Sequence, residues 1–250
     1  MKLSWHITKN DIALVKTMVA RYRDHPIVYD RISRNLSASK PLVTKERFWK
    51  TLVMALLTTQ QPSGPKSAVI RILETSPFLL SYNNCLTSKN IAEFAAQTLI
   101  DFGGIRRHGV IGSELSTNLE KLESQLWPKL LEMLNNLRTA TDQSTERMTA
   151  DFLALNMKGL GPKQARNLLQ ALGLTRYEMP IDSRVVKWLK IAKFPVPLNP
   201  TALSDRDYYC FVLDGIQDLC NAAKEFPCVL DGAIFASFDA EKWDDGIIVF

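Results

Sequence analysis

The sequence predicts an all-α protein, and three observations carry that expectation. Apolar residues recur at helical spacing along nearly the whole chain. No set of alternating strands bounded by hairpin turns occurs. The composition, 46% hydrophobic and 23% charged with 12 prolines and 11 glycines in 250 residues, is that of a folded domain rather than a disordered one. A chain of this length can bury a substantial core without disulfides or metals.

In chain order the periodicity predicts helices over residues 8–23, 44–60, 64–74, 88–102, 115–137, 145–157, 162–172, 183–192, 205–224 and 229–240. Thr44, Ser144 and Ser204 are expected as capping residues at their helix starts, because a short hydroxyl side chain can accept a first-turn N–H. Ser204 is followed by an acidic pair, Asp205 and Asp207, that complements the helix dipole. Pro128 falls inside the 115–137 stretch and should kink or divide it, since proline has no N–H to give. Residues 138–144 are polar and read as a linker, and there is no internal repeat or low-complexity tract.

The net charge of +5 fits a polyanionic partner. The longest apolar runs, such as residues 51–57, are too short to span a bilayer, and residues 1–7 lack the apolar core of a signal peptide, so a cytoplasmic, nucleoid-associated location is expected. Cys85, Cys210, Cys220 and Cys228 are widely spaced with no CxxC pair, and His6, His25 and His108 are scattered. Neither set has the spacing of a zinc or iron–sulfur site, so no metal or cofactor is expected.

The informative stretch is LNMKGLGPKQARNLLQALGLTRYEMPIDSRVVKWL, residues 155–189. Gly159 and Gly161 flank Leu160, which allows a sharp turn between two helices with the leucine packed inward. Pro162 suits a first helical position, where a missing N–H has no intrahelical partner to lose. Such a hairpin points backbone N–H groups and the positive end of a helix dipole outward, where they can hold a DNA phosphate without reading sequence. A plain glycine turn between two helices is the bland alternative.

This segment resembles the helix-hairpin-helix motif, over about residues 145–173, of a DNA glycosylase superfamily that also carries a Gly/Pro-rich loop and a following aspartate. The resemblance extends more loosely over residues 44–189. It implies a two-lobed, all-α helix-hairpin-helix glycosylase fold, with one helical lobe at residues 44–138 and a second built from 1–43 plus 139–250. It also implies that Lys163, just after the second hairpin glycine, is the nucleophile, and that Asp182, in the MPID segment nineteen residues further on, is its partnering carboxylate. Capping of the helix that begins near Ser183 is the structural role open to Asp182, and it is compatible with the catalytic one because a cap fixes an ionised carboxylate in direction. A lysine in the first turn of a helix is a depressed-pKa amine, because the dipole and desolvation both disfavour its charge.

Two further segments resemble the family. LLTTQQPSGPKSA, residues 56–68, resembles the segment that supplies the wedge filling the gap left by an extruded base, which implies that Gln60 takes the wedge position with Gln61 its neighbour; a plain helix end before Pro62 is the alternative. GGIRRHG, residues 103–109, resembles a turn beside the active site, which implies that Arg106, Arg107 and His108 line the DNA-facing side, solvated surface charge being their competing role; Gly159, Gly161 and Arg184 are the other expected DNA contacts. Arg184 stands where the family commonly has His, and Lys158 replaces its usual hairpin proline. About forty residues precede Thr44, too few for the N-terminal β domain of the eukaryotic 8-oxoguanine enzymes. From the C-terminal sixty residues, Phe235, Phe238, Trp243 and Phe250 are candidates to stack on an extruded purine, core packing being the competing role of each.

The lysine, the proline before Ile181 and Asp182, and the lack of a four-cysteine cluster lean toward the 8-oxoguanine branch. The expected activity is therefore a bifunctional DNA glycosylase and apurinic-site lyase. It would act as a monomer on double-stranded DNA containing an oxidised purine, by a lysine Schiff base and β-elimination. The alternatives are a glycosylase for damaged pyrimidines or alkylated bases, and a non-catalytic helix-hairpin-helix DNA-binding module.

Overall fold

The computed structural model describes residues 4–62, 64, 66–140 and 142–238, and no strand occurs among them. The first helix, α1 (Lys9–Tyr22), starts at a reciprocal capping box between Thr8 and Asp11. It is followed by α2 (Pro26–Asn35), α3 (Lys45–Leu57), α4 (Ala68–Leu73), α5 (Tyr82–Thr87), α6 (Ile91–Phe102) and α7 (His108–Lys121). Then come α8 (Trp127–Asn136), α9 (Gln143–Asn156), α10 (Pro162–Ala171), α11 (Ser183–Ile191), α12 (Pro200–Ser204), α13 (Arg206–Ala223) and α14 (Pro227–Phe238). No described helix is long and apolar enough to cross a membrane.

Two buried apolar clusters organise these helices. The first centres on α3, whose Phe48, Trp49, Leu52, Leu56 and Leu57 are wholly enclosed, and takes in α4 to α8. It also receives Leu153 of α9 and Ala165, Leu168 and Leu169 of α10, so the hairpin helices lend their apolar faces to it. The second joins α1 and α2 to α11, α13 and α14 through residues such as Val15, Val28, Leu189, Leu213 and Ile234. N- and C-terminal helices thus pack on one another, α14 lying against both α1 and α2.

Several elements differ from the sequence expectation. Helix α2 is not among the expected ones, because its buried face carries Arg31 and Asn35 beside Ile27 and Val28, which blurs the apolar period. Helices α5 and α12, at 6 and 5 residues, are too short to show a period. The 64–74 helix starts only at Ala68, with Ser67 as its cap. The 115–137 stretch begins earlier, at His108, and is divided by a π-helical turn, Leu122–Leu126, before α8 restarts with Pro128 in its first turn.

The caps of α9 and α13 are also corrected: Asp142 and Asp205 occupy those positions, not Ser144 and Ser204. A carboxylate accepts first-turn N–H groups with a full charge and out-competes the neighbouring serine. Ser144 instead donates to Asp142 Oδ1 at 2.6 Å, and Ser204 ends α12. Thr44 caps α3 as expected.

Candidate active site

The hairpin joins α9 to α10. Its first glycine, Gly159, has φ of 84°, a left-handed conformation that side chains disfavour. A Cβ there would also lie 2.6 Å from Leu56 Cδ2 and 2.7 Å from Glu114 Cδ, so no larger residue fits. Gly161 is different: it is extended, exposed and faces open space, leaving the N-terminus of α10 uncovered. The hairpin backbone is clamped from α7, where the buried Asn118 side chain accepts from Lys158 N at 2.7 Å and donates to Lys158 O at 2.9 Å.

Lys163 is the second residue of α10, partly buried, in the turn where the first N–H groups of the helix lack intrahelical partners. Its Nζ donates to Gln164 Oε1 at 3.1 Å. Gln164 is itself fixed, its amide donating to Ala55 O at 2.7 Å and to the Thr59 hydroxyl. Burial lowers the pKa of Lys163; the negative charges of Asp182 and Asp231 oppose that and Arg184 adds to it. The amine is thus desolvated yet within the field of two carboxylates.

Asp182 caps α11, its Oδ1 accepting from Arg184 N at 2.8 Å and Val185 N at 2.9 Å. Oδ2 pairs with the Arg184 guanidinium at 3.3 Å. The segment leading to it is held at three points. Tyr209, wholly buried, accepts from Ile181 N at 2.7 Å and donates to Met179 O at 3.0 Å. Glu146 accepts from the backbone N–H groups of Arg176, Tyr177 and Glu178. Arg166, one turn past Lys163, joins Glu178 at 2.8 Å to the Pro162 carbonyl at 3.2 Å and so ties the first turn of α10 to the loop before Asp182.

The structure brings most of the expected site residues together. Gln60 has a left-handed φ of 58° and is exposed, directly after Thr59, which the Gln164 amide touches, so the wedge candidate follows the residue that anchors the neighbour of Lys163. Gln61 does not share that exposure: its Oε1 accepts from Arg106 N at 2.8 Å and so ties the 103–107 turn to the end of α3. Arg106 is exposed beside it. Arg107 precedes α7 with a φ of 60° and turns its guanidinium to Glu114 Oε1 at 3.3 Å, under Gly159, so part of its charge is engaged within the protein.

At the other side, Arg184 lies 3.9 Å over the ring of the partly buried Phe235, which puts α14 next to Asp182. Phe238, further along α14, is exposed with Lys187 above its ring. Trp243 and Phe250 lie outside the described residues. Sequence reasoning missed Gln164, Glu146, Tyr209 and Asp231, since nothing local marks a polar residue on a helix as one that points at the site. Among the described residues no cluster of His, Cys, Asp and Glu has the arrangement of a metal site, and the four cysteines are buried free thiols. A cavity of about 490 Å3 between Trp5, Trp188, Phe194 and Phe211, beyond the C-terminal half of α11, contains none of the candidate residues.

No protein-family model matches the chain, and no curated protein matches it in sequence. Solved structures do. An 8-oxoguanine DNA glycosylase of Methanocaldococcus jannaschii superposes with a TM-score of 0.67 at 17% identity, over 94% of this chain and 98% of that one. The 8-oxoguanine DNA glycosylase of Thermotoga maritima gives 0.64 at 17% identity, over 94% and 100%. The Methanocaldococcus jannaschii 8-oxoguanine glycosylase/lyase in complex with a 15mer DNA containing 8-oxoguanine gives 0.68 at 16% identity, over 93% and 100%. The chain therefore has the all-α helix-hairpin-helix glycosylase fold along nearly its whole length.

Proposed function

We propose that this chain, which has the fold of the 8-oxoguanine DNA glycosylases, is a bifunctional DNA glycosylase and apurinic-site lyase acting on oxidised purine. The observation that carries the proposal is the pairing of roles at Lys163 and Asp182: a desolvated amine in the first turn of one helix, held in the electrostatic field of the carboxylate that caps the next. Desolvation raises the fraction of neutral, nucleophilic amine. The fixed carboxylate supplies negative charge where a cationic sugar develops as the base departs.

In the proposed reaction the uncovered hairpin and the N-terminus of α10 hold a phosphate of double-stranded DNA, and Gln60 enters the stack as the damaged nucleotide is extruded. The Lys163 lone pair forms a bond to C1′ while the bond from C1′ to the base breaks and the electron pair leaves with the base. One amine proton passes to the departed base and the other to O4′ as the sugar opens to the imine; a C2′ proton is then lost to water while the electrons of the C2′–H bond form the C2′=C3′ double bond and expel the 3′ phosphate by β-elimination. Phe235 and Arg184, stacked beside Asp182, form the near wall of the base pocket, and the substrate enters between the lobe of residues 44–138 and the lobe of 1–43 with 139–250. No metal or other cofactor has a part in these steps. The protein would act as a monomer, and its place would be on the nucleoid.

The test is borohydride trapping on a panel of duplexes with one lesion each. Wild-type protein should form a covalent adduct with DNA containing 8-oxoguanine opposite cytosine faster than with thymine glycol or uracil, and Lys163→Gln should form none while still binding the lesion duplex. If Lys163 served only a phosphate, the variant would lose about fivefold in affinity and wild type would form no adduct. Absence of any adduct with every lesion and with abasic DNA would leave a binding module, and preferential action on a pyrimidine lesion would replace the substrate.

A further inference from the structure

A second carboxylate acts on the Lys163 amine besides Asp182. Asp231, on the second turn of α14, is 6% exposed and belongs to neither apolar cluster. Its Oδ2 accepts from Gln170 Nε2 at 2.6 Å and pairs with Arg31 Nε at 3.7 Å. Gln170 is two turns along α10 from Lys163, and α14 packs directly on α11, which Asp182 caps. The adjacent Gly232 makes room for Arg31: a Cβ there would meet Arg31 Cγ at 3.0 Å. Asp231 is thus tethered from α2 and α10 at once, in a place where a carboxylate costs solvation and a leucine would pack.

We infer that Asp231 is a positioning residue for the proposed lysine chemistry: its tethered carboxylate adds a second negative charge to the field in which the Lys163 amine and the cationic sugar react. This rests on Lys163 being the nucleophile. Asp231 contacts Arg31 and Gln170, and the charged or titratable groups whose fields reach it are Arg31 from α2, Lys163 from α10, Asp182 at the start of α11, Tyr209 from α13, and Cys228 on its own helix. Helix α1 contributes only Val15 and Val19 to its buried face. Burial pushes the Asp231 carboxyl up to about 6, Arg31 opposing and Asp182 assisting, so the second charge is present at neutral pH and lost in mild acid.

Two opposite effects follow. An ionised Asp231 favours the ammonium form of Lys163, which restrains attack on an abasic site that is already formed. The same charge stabilises the cationic sugar while a base is being expelled, which assists excision. A residue that mattered only for folding would slow both steps together.

The experiment compares Asp231→Asn with wild type in two assays: cyanoborohydride trapping on preformed abasic DNA, and excision from lesion DNA, each from about pH 5 to pH 8. At pH 7 the variant should trap roughly threefold faster, the effect of about half a pK unit on the amine, and excise roughly tenfold more slowly. The two proteins should converge in trapping near pH 5, where wild-type Asp231 is protonated. Trapping ratios of one at every pH, or equal slowing of both steps, would overturn the assignment while leaving Lys163 as nucleophile. Failure of wild type to be trapped at all would remove the nucleophile and this inference with it. Should Asp231→Asn not fold, Gln170→Leu removes one donor to the carboxylate and should move the acid-side break of the trapping profile to higher pH; a profile superimposable on wild type would refute the inference.

Discussion

Replacing Gly159 by alanine should destabilise the whole protein, and the structure supplies the magnitude. A left-handed φ of 84° costs a side-chain-bearing residue about 1 kcal/mol relative to glycine. The new methyl would then press on Leu56 at 2.6 Å and on Glu114 at 2.7 Å. Leu56 is fully enclosed in the first core, and Glu114 is buried and bound to Arg107, so neither can swing away. Overpacking of this kind adds roughly 2 kcal/mol, for a total near 3 kcal/mol. In a chain of 250 residues that corresponds to a fall in Tm of about 6–12 °C.

Thermal unfolding followed by circular dichroism measures the shift, and Gly161→Ala is the control. At Gly161 the backbone is extended and nothing lies within 4 Å of the added carbon, so the cost should stay below about 1 kcal/mol. The control should instead weaken DNA binding, because the methyl stands at the uncovered end of α10. A Gly159→Ala protein melting within about 2 °C of wild type, or a Gly161→Ala protein that loses as much, would refute the steric reasoning.

Asp182→Asn keeps an oxygen at the cap of α11, so the fold should lose less than about 1 kcal/mol while excision falls by roughly 10²-fold; an unchanged rate would reduce the residue to a cap. Glu178→Ala leaves the wholly buried Arg166 without its closest carboxylate and should cost about 3 kcal/mol or more in denaturant unfolding. Stability should also show the raised Asp231 carboxyl. Between its unfolded value near 4 and about 6 the native state holds the extra proton, so wild type loses stability relative to Asp231→Asn as pH rises through that window, by about 3 kcal/mol at most. A stability difference that does not change between pH 4 and pH 7 would contradict this. Finally, purified protein should be colourless and iron-free, and a chelator should leave excision unchanged; stoichiometric iron on elemental analysis would place the chain in another branch.

The all-α class, the hairpin and the cap of α11 were legible because each rests on local chemistry. Helical periodicity, a Gly-Leu-Gly-Pro run and an aspartate just ahead of a helix act within a few residues of themselves, and their effect does not depend on what packs against them. Helix α2 was not legible for the converse reason. Its inward residues Arg31 and Asn35 look solvent-facing until α14 and the end of α10 supply their partners. The serine caps failed at the same level of detail, where two eligible side chains compete and the stronger acceptor wins.

By itself the sequence determined that a lysine would stand in the first turn of a helix after a glycine hairpin, and that an aspartate would begin the next helix. Only the tertiary structure decided what surrounds them. Gln164, anchored to the end of α3, holds the amine, Tyr209 and Glu146 fix the path to Asp182, and Asp231 arrives from the far end of the chain. The physical reason is that burial and charge pairing act through space between residues dozens of positions apart. A polar side chain's partner, and therefore its protonation and direction, exists only once the helices have packed.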